Sequence, residues 1–259
     1  MKGIIEVVGI LLITVFILTI YSFTGLEAKL GSIVIKKTKI REFILGIPDD
    51  PYGKTISMDD QTFKKQEQAA VDTTSQRILL IGDSMLEGLM LRLKDYTAAN
   101  QHDMKTVIWY SSSTEYFGRS DTLKYFIKQY RPTYIMLVLG ANELFVPDIK
   151  RKRSGYVKHI LKQMDTVNYT WVGPPNWKDD TGINDLILSN VGPMRYFPSK
   201  NLNYTRSKDG AHPTHSSAAI WMDSIASWIM TRSLKPIVLK KPIHKSNKSP
   251  NATILQPLK

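Results

Sequence analysis

The sequence of 259 residues contains no cysteine. This absence excludes disulfide bonds, a thiolate nucleophile, a zinc site with cysteine ligands and a lipid-modified N-terminal cysteine. It does not indicate a redox compartment, because a bacterial envelope protein can lack disulfides as readily as a cytosolic protein can. With 42% hydrophobic and 10% aromatic residues, the composition is that of a globular protein. A chain of this length predicts one domain with a sizeable core, plus a tail or an anchor.

Acidic residues are few relative to basic ones, and residues 235–259 contain none. The formal net charge of +12 is concentrated after the first hydrophobic segment and in this C-terminal stretch. Because no nucleic-acid-binding module accompanies the basic residues, we interpret the charge as solvated or facing a membrane, with no nucleic acid as partner. Residues 235–259 are predicted to be a flexible basic tail, and binding to an anionic lipid or polymer is the alternative for them.

One long hydrophobic run lies near the N-terminus. Residues 7–26 carry no charge and provide about the 20 residues that a helix needs to cross a bilayer. They predict an N-terminal transmembrane anchor over residues 1–26, with a cleaved signal peptide as the alternative. Lysines after the run favour a cytoplasmic main domain, whereas a short N-terminal segment before one large domain commonly places that domain outside. We predict a periplasmic or extracellular domain.

Residues 27–76 are polar and lack sustained periodicity, so they are interpreted as a stalk or peripheral segment. From Arg77 onward, short apolar runs alternate with segments of helical spacing. The runs that predict buried strands are 77–81, 106–110, 134–139 and 169–173. A last amphipathic helix is predicted over 217–231. This alternation predicts an α/β fold, a three-layer α/β/α sandwich with a mostly parallel sheet, in a domain over residues 77–234.

The first chemical motif is Gly82-Asp83-Ser84, at the junction of the first predicted strand and its helix. A serine hydroxyl is a weak nucleophile unless a base accepts its proton. A strand-to-helix turn exposes such a hydroxyl and directs helix N-terminal amides toward a developing oxyanion. Taken alone, the tripeptide also fits an ordinary helix cap.

The second motif is Asp209-Gly210-Ala211-His212, shortly before the last predicted helix. A spacing of three in a turn lets the carboxylate reach the imidazole and fix its tautomer, so that the other ring nitrogen can face a serine. Turns rich in Asp, Gly and Pro are common, and a structural role is the alternative. Of the five histidines, only His212 has a carboxylate, a glycine and a proline packed around it in this way.

Two candidate oxyanion donors follow the second and third predicted strands. Asn142, in Gly140-Ala141-Asn142-Glu143, can donate through its side-chain amide. Gly118, in the serine-rich stretch 111–120, can donate through its backbone amide, and a simple turn glycine is the alternative. In a parallel sheet, loops at the carboxyl ends of the strands share one edge, where binding sites lie.

Together, the four motifs resemble the blocks of the SGNH/GDSL hydrolase superfamily, over residues 77–231. The resemblance implies a flavodoxin-like sheet, a catalytic triad of Ser84, Asp209 and His212, and an oxyanion hole formed by Ser84, Gly118 and Asn142. No cofactor and no metal are implied. Met85 follows the nucleophile where the family name records leucine, and Glu143 stands where many members have aspartate, so the hydrogen bonds that hold the Asn142 loop can differ.

The resemblance also implies the reaction class. We predict a serine esterase that acts on O-acetyl or short acyl esters of envelope carbohydrate, and aromatics such as Trp109, Tyr110, Tyr116 and Trp177 would suit stacking on sugar rings. A polysaccharide O-acetyltransferase with the same residues is the alternative, and a membrane protein that supplies acyl groups is then a candidate partner. A non-catalytic glycan-binding module is a further alternative.

Overall fold

The computed structural model describes residues 69–244 and 250–257, together with Gly9, Thr14 and the segments 29–30 and 33–34. The chain divides into two units, residues 1–63 and 64–259. In the first unit, β1 (Lys29–Leu30) pairs antiparallel with β2 (Ile33–Val34). Apart from Gly9 and Thr14, the predicted anchor lies outside the described residues. Within the described part of the chain, no helix is both long and apolar enough to span a membrane.

The second unit is built on one sheet of six strands. They are β3 (Arg77–Gly82), β4 (Asp103–Trp109), β5 (Tyr134–Val138), β6 (Asn168–Val172), β7 (Tyr196–Phe197) and β8 (Ala252–Leu255). The spatial order is β7-β6-β5-β3-β4-β8, and every neighbouring pair is parallel. The first five strands of this sheet follow the doubly wound, flavodoxin-like order, whose direction of winding reverses between β3 and β5. The prediction of an α/β fold with a mostly parallel sheet is confirmed.

In the part of the second unit that the structure describes, six α-helices connect these strands. They are α1 (Leu86–Ala99), α2 (Thr114–Arg119), α3 (Thr122–Tyr130), α4 (Ile149–Met164), α5 (Ile183–Val191) and α6 (His215–Arg232). Helices α2, α3 and α5 contact α4, whereas α1 contacts α6. Leu79 and Ile81 belong to the core cluster that includes Val157 and Ile160 of α4. Because side chains alternate along a strand, Ile78 and Leu80 face the opposite layer, and β3 is buried on both faces.

The C-terminal segment differs from the prediction of a flexible tail. Residues 252–255 form β8, which pairs with β4 at the edge of the sheet. Ile237 and Leu239 are also buried. The apolar pattern of a four-residue strand is too short to be recognised in a sequence rich in Asn, Pro and Lys. In the fold, the free edge of β4 supplies the backbone hydrogen bonds of β8. The tail prediction is therefore wrong for these residues.

Candidate active site

Ser84 lies in the turn between β3 and α1, at the carboxyl edge of the sheet. The preceding backbone passes very close to β5, because a Cβ added at Gly82 would lie 1.8 Å from the carbonyl oxygen of Val138. Only glycine fits this approach without moving the strand. The Asp83 amide then donates to the same carbonyl at 3.0 Å. The turn that presents Ser84 is thus fixed to the neighbouring strand.

Asp209 and His212 lie in the turn before α6, as the spacing predicts. The imidazole Nδ1 of His212 and Oδ2 of Asp209 are 2.7 Å apart. The other carboxylate oxygen, Oδ1, accepts from the amides of Ala211 and His212 at 2.9 and 3.0 Å. The Ala211 amide, the His212 ring and the His212 amide lower the pKa of Asp209 to about 2. Asp209 therefore stays ionised at neutral pH, and it accepts a hydrogen bond from a protonated Nδ1.

The structure brings His212 and Ser84 together from positions 128 residues apart. The Nε2 atom of His212 lies 2.9 Å from the Ser84 hydroxyl oxygen. With Nδ1 carrying the proton for Asp209, the Nε2 lone pair faces the hydroxyl and can accept its proton. Both members of the pair at the turn are accessible, with side-chain exposures of 36% for His212 and 50% for Asp209. This arrangement can activate a serine hydroxyl as a nucleophile.

Asn142 lies in a short 3₁₀ helix (Ala141–Glu143) directly after β5. Its side-chain amide donates to the Ser112 carbonyl, in the loop after β4, at 2.9 Å. A primary amide carries two N–H groups, and this bond uses one of them. Asn142 is therefore oriented by the neighbouring loop, while its amide retains a second donor for a ligand oxygen.

The structure places Gly118 differently from the prediction. Residues 114–119 form helix α2 instead of a loop, and Gly118 is buried there. A Cβ at Gly118 would lie 2.4 Å from the Tyr156 Cβ, so this glycine allows α2 and α4 to approach each other. Because an α-helical N–H bonds the carbonyl four residues earlier, the Gly118 amide is used inside the helix. Spacing alone does not separate a helix-packing glycine from an oxyanion-hole glycine.

The residue after Asn142, Glu143, is a buried carboxylate. Glu143 has no exposed side-chain surface and accepts from the Thr114 amide at 2.7 Å and from the Thr114 hydroxyl at 2.8 Å. The Arg153 guanidinium donates to Glu143 at 2.7 Å and also pairs with Glu115. Burial nevertheless raises the pKa of Glu143 above its ordinary value. This network joins the start of α2 to the 3₁₀ helix that carries Asn142.

Asp83 is a second buried carboxylate beside the site. Its Oδ1 accepts from the Met85 amide at 3.0 Å, and Oδ2 accepts from the Ala141 amide at 3.3 Å. Burial raises the pKa of Asp83 to about 7, although the amides and the His212 ring oppose this shift. Asp83 thereby links the Ser84 turn to the Asn142 loop. The sequence pattern indicated Asp83 only as part of the serine motif.

The raised pKa of Asp83 predicts a pH-dependent contribution to stability. An acid whose pKa is higher in the folded than in the unfolded state contributes most to stability below the unfolded pKa. For Asp83 that contribution is complete below pH 3.8 and is lost as the pH rises to about 7. We expect the unfolding free energy of wild type, relative to that of Asp83→Asn, to fall across this window by at most about 1.4 kcal/mol per pH unit and to level off above it. Urea unfolding at a series of pH values measures this. Parallel pH profiles of the two proteins would contradict it.

Hydrogen bonds connect residues 174–178, which follow β6, to the segments that carry Asn142 and His212. The Trp177 indole N–H donates to the Ala141 carbonyl at 3.0 Å. Arg206 donates to the carbonyls of Pro175 and Asn176, and also to that of Ala211 beside His212. The loop therefore flanks the triad. Of the aromatics proposed for stacking, Trp177 lies in this loop and is partly exposed, whereas Trp109 is buried and unavailable.

Within the described ranges, no group of three or more His, Asp or Glu side chains is placed to hold a metal ion.

No family model and no curated protein sequence matches the chain. Among solved structures, it is similar to the psychrotrophic esterase EstA from Pseudoalteromonas sp., with 18% identity, 58% of this chain and 94% of that chain covered, and a TM-score of 0.45. A family 3 carbohydrate esterase from Clostridium thermocellum has 17% identity, the same two coverages and a TM-score of 0.41. A protein from Desulfitobacterium hafniense DCB-2, described as lipolytic and of the G-D-S-L family, has 12% identity, 57% and 97% coverage, and a TM-score of 0.43. The solved structures to which this chain is similar thus include esterases and a protein of the G-D-S-L family.

Proposed function

We propose that the chain is a serine hydrolase or acyltransferase of the SGNH/GDSL type that acts on ester bonds. Ser84 is the nucleophile, His212 is the general base and Asp209 orients the imidazole. The observation that carries the proposal is the continuous hydrogen-bonded series from Asp209 through both ring nitrogens of His212 to the Ser84 hydroxyl, at 2.7 and 2.9 Å. A buried hydroxyl with no base, or a histidine with no orienting acceptor, would not support this chemistry.

The reaction has two steps. In the first, the Ser84 oxygen attacks the ester carbonyl carbon while His212 Nε2 takes the hydroxyl proton. The Ser84 amide and the Asn142 side chain stabilise the tetrahedral oxyanion, and Gly118 has no part in this revised oxyanion hole. As the carbonyl reforms, the bond to the alcohol breaks, and His212 gives its proton to that leaving oxygen. An acyl-serine remains.

In the second step, His212 takes a proton from the acceptor, whose oxygen attacks the acyl-serine. As the bond between the acyl carbon and the Ser84 oxygen breaks, His212 returns the proton to that oxygen, and the free enzyme is regenerated. Water as the acceptor makes the protein an esterase, and a sugar hydroxyl makes it an O-acyltransferase. We propose O-acetyl or short acyl esters of envelope carbohydrate as substrates. The uncharged residues 7–26 support a proposed single-pass anchor, with the domain in the periplasm or outside the cell.

Covalent labelling tests the proposal directly. Incubating the full-length protein with a fluorophosphonate probe is expected to label Ser84, identified by mass spectrometry of the modified peptide, because a base-activated serine attacks phosphorus whatever its natural substrate. Ser84→Ala is expected to lose the label. The same protein is expected to release p-nitrophenol from p-nitrophenyl acetate. A protein that is neither labelled nor active on this ester would contradict the proposal.

A further inference from the structure

A cleft of about 740 Å³ opens between the loop after β5 and the loop after β6. Phe145 and Trp177 line it, with ring centroids 6.2 Å apart and planes at 73°. The Phe145 side chain is 53% exposed, which is high for a large hydrophobic residue. The volume lies in the range of small-molecule sites in proteins. Two aromatic faces thus border a space large enough for a ligand.

The walls of the cleft are held by hydrogen bonds at their base. The Thr181 amide donates to the Leu144 carbonyl at 2.8 Å, and the Thr181 hydroxyl donates to the Val146 carbonyl at 2.7 Å. These bonds tie the two residues on either side of Phe145 to the opposite wall. The aromatic pair is therefore positioned before any ligand arrives, which lowers the entropic cost of binding.

Hydrogen bonds connect one wall of the cleft to the residues that flank the candidate catalytic groups. Trp177 donates to the carbonyl of Ala141, the residue before Asn142. Arg206 donates to the carbonyl of Asn176, which lines the cleft, and to that of Ala211, the residue before His212. The position of this wall is therefore coupled to the loops that carry Asn142 and His212.

The remaining lining residues indicate the chemistry of the ligand. They are polar: Asn176, Lys178, Asp179, Asp180 and Thr181. The Lys178 ammonium lies 4.8 Å from the Trp177 centroid and 5.1 Å from the Phe145 centroid, and no carboxylate among the described residues forms an ion pair with it. The Asp180 oxygens already accept from the amides of residues 182–184. Lys178, Asp179 and Asn176 thus offer donors and acceptors around two aromatic faces.

Only some ligands match this lining. A long acyl chain requires continuous apolar walls, and five polar residues out of seven do not provide them. A pyranose ring presents an apolar C–H face to an aromatic ring and hydroxyl groups around its rim. Amide, carboxylate and ammonium side chains are the usual partners of such hydroxyls. The lining therefore favours a neutral sugar.

We propose that the Phe145–Trp177 cleft is a carbohydrate subsite that holds the sugar part of the ester next to Ser84. The inference rests on the proposed esterase or acyltransferase function and assigns the residues that bind the sugar of its substrate. On binding, the sugar ring displaces the Lys178 ammonium from the aromatic faces, and Lys178 becomes a donor to the hydroxyl groups.

Binding is tested on full-length Ser84→Ala, which cannot turn the ligand over. The ligands for isothermal titration calorimetry are cellohexaose, xylohexaose, mannohexaose and chitohexaose. We expect at least one of them to bind, and Phe145→Ala in the same background to weaken that binding by about tenfold, the loss expected for one aromatic contact. Tyr125→Ala is the matched control, because Tyr125 is an aromatic residue with 61% exposure on α3, outside the cleft.

Turnover provides the second measurement. The substrate is a partially O-acetylated form of the sugar that binds. We compare kcat/KM for this ester with kcat/KM for p-nitrophenyl acetate. Phe145→Ala is expected to lower the ratio of the first value to the second about tenfold, mainly because KM for the sugar ester rises. Tyr125→Ala is expected to leave the ratio unchanged. Failure of all four sugars to bind, or binding that is indifferent to Phe145→Ala, overturns the subsite. If p-nitrophenyl acetate is still hydrolysed in that case, the proposed esterase or acyltransferase function stands and only the subsite is rejected.

Discussion

Replacing His212 with alanine is expected to lower kcat on p-nitrophenyl acetate by about 10⁴-fold or more, in line with the loss of the general base in serine hydrolases. The physical reason is the 2.9 Å contact between His212 Nε2 and the Ser84 oxygen, through which the hydroxyl proton must leave. Without that acceptor, Ser84 must attack as a neutral alcohol. Initial rates at saturating ester measure the effect, and circular dichroism checks that the variant folds.

His215→Ala is the matched control. His215 lies three residues after His212, is exposed and is the first residue of α6. We expect its kcat to stay within about twofold of wild type, because an exposed substitution without a buried contact has little effect. The rate of fluorophosphonate labelling is expected to fall in His212→Ala and to be maintained in His215→Ala. Equal losses in both variants would show that His212 is not the base.

Replacing the buried Glu143 with alanine is expected to destabilise the domain by about 3–5 kcal/mol, as for other buried ion pairs that lose one partner. The substitution leaves the Thr114 amide and hydroxyl without their acceptor and Arg153 without its buried carboxylate. Because Glu143 follows Asn142 directly, we also expect kcat to fall as the oxyanion donor loses its orientation. Denaturant unfolding and p-nitrophenyl acetate kinetics measure the two effects.

The control for Glu143 is an exposed ion pair at the start of α4, the helix that carries Arg153. Asp148 and Arg151 are 3.4 Å apart, with side-chain exposures of 68% and 76%. Arg151→Ala is expected to change the unfolding free energy by less than about 1 kcal/mol, because solvent screens such pairs. If Glu143→Ala costs no more than Arg151→Ala, the buried network does not hold the Asn142 loop.

The sequence predicted those parts of the site that depend on local spacing and strand ends. Ser84 and Asn142 follow buried apolar runs, and the pair of Asp209 and His212 closes within a single turn, so their approach follows from the parallel sheet. The role of Gly118 was not predictable in this way, because its neighbour Tyr156 lies 38 residues away on another helix.

Short elements and distant contacts were not predictable from the sequence either. Strand β7 has two residues and β8 has four, so neither contains enough alternation to indicate a strand. Helix α5 falls between the predicted strand 169–173 and the Asp209 motif, where the sequence pattern predicted no helix or strand. The network around Glu143 depends on Arg153, ten residues later. Arg153 belongs to the basic run 150–153, and nothing in that run distinguishes the one arginine with a buried partner.

The pairing of β8 with β4 has a consequence for biosynthesis. Ala252 pairs with Thr106, 146 positions earlier, and the Trp109 indole and the Tyr110 amide donate to the carbonyls of Gln256 and Leu255. Strand β4 is therefore synthesised long before its partner strand β8. Contacts of such long sequence separation form late in folding. Until β8 pairs, the edge of β4 next to the site loop is open and can join the edge of another chain, so the interval before this pairing is when the protein is most exposed to misassembly.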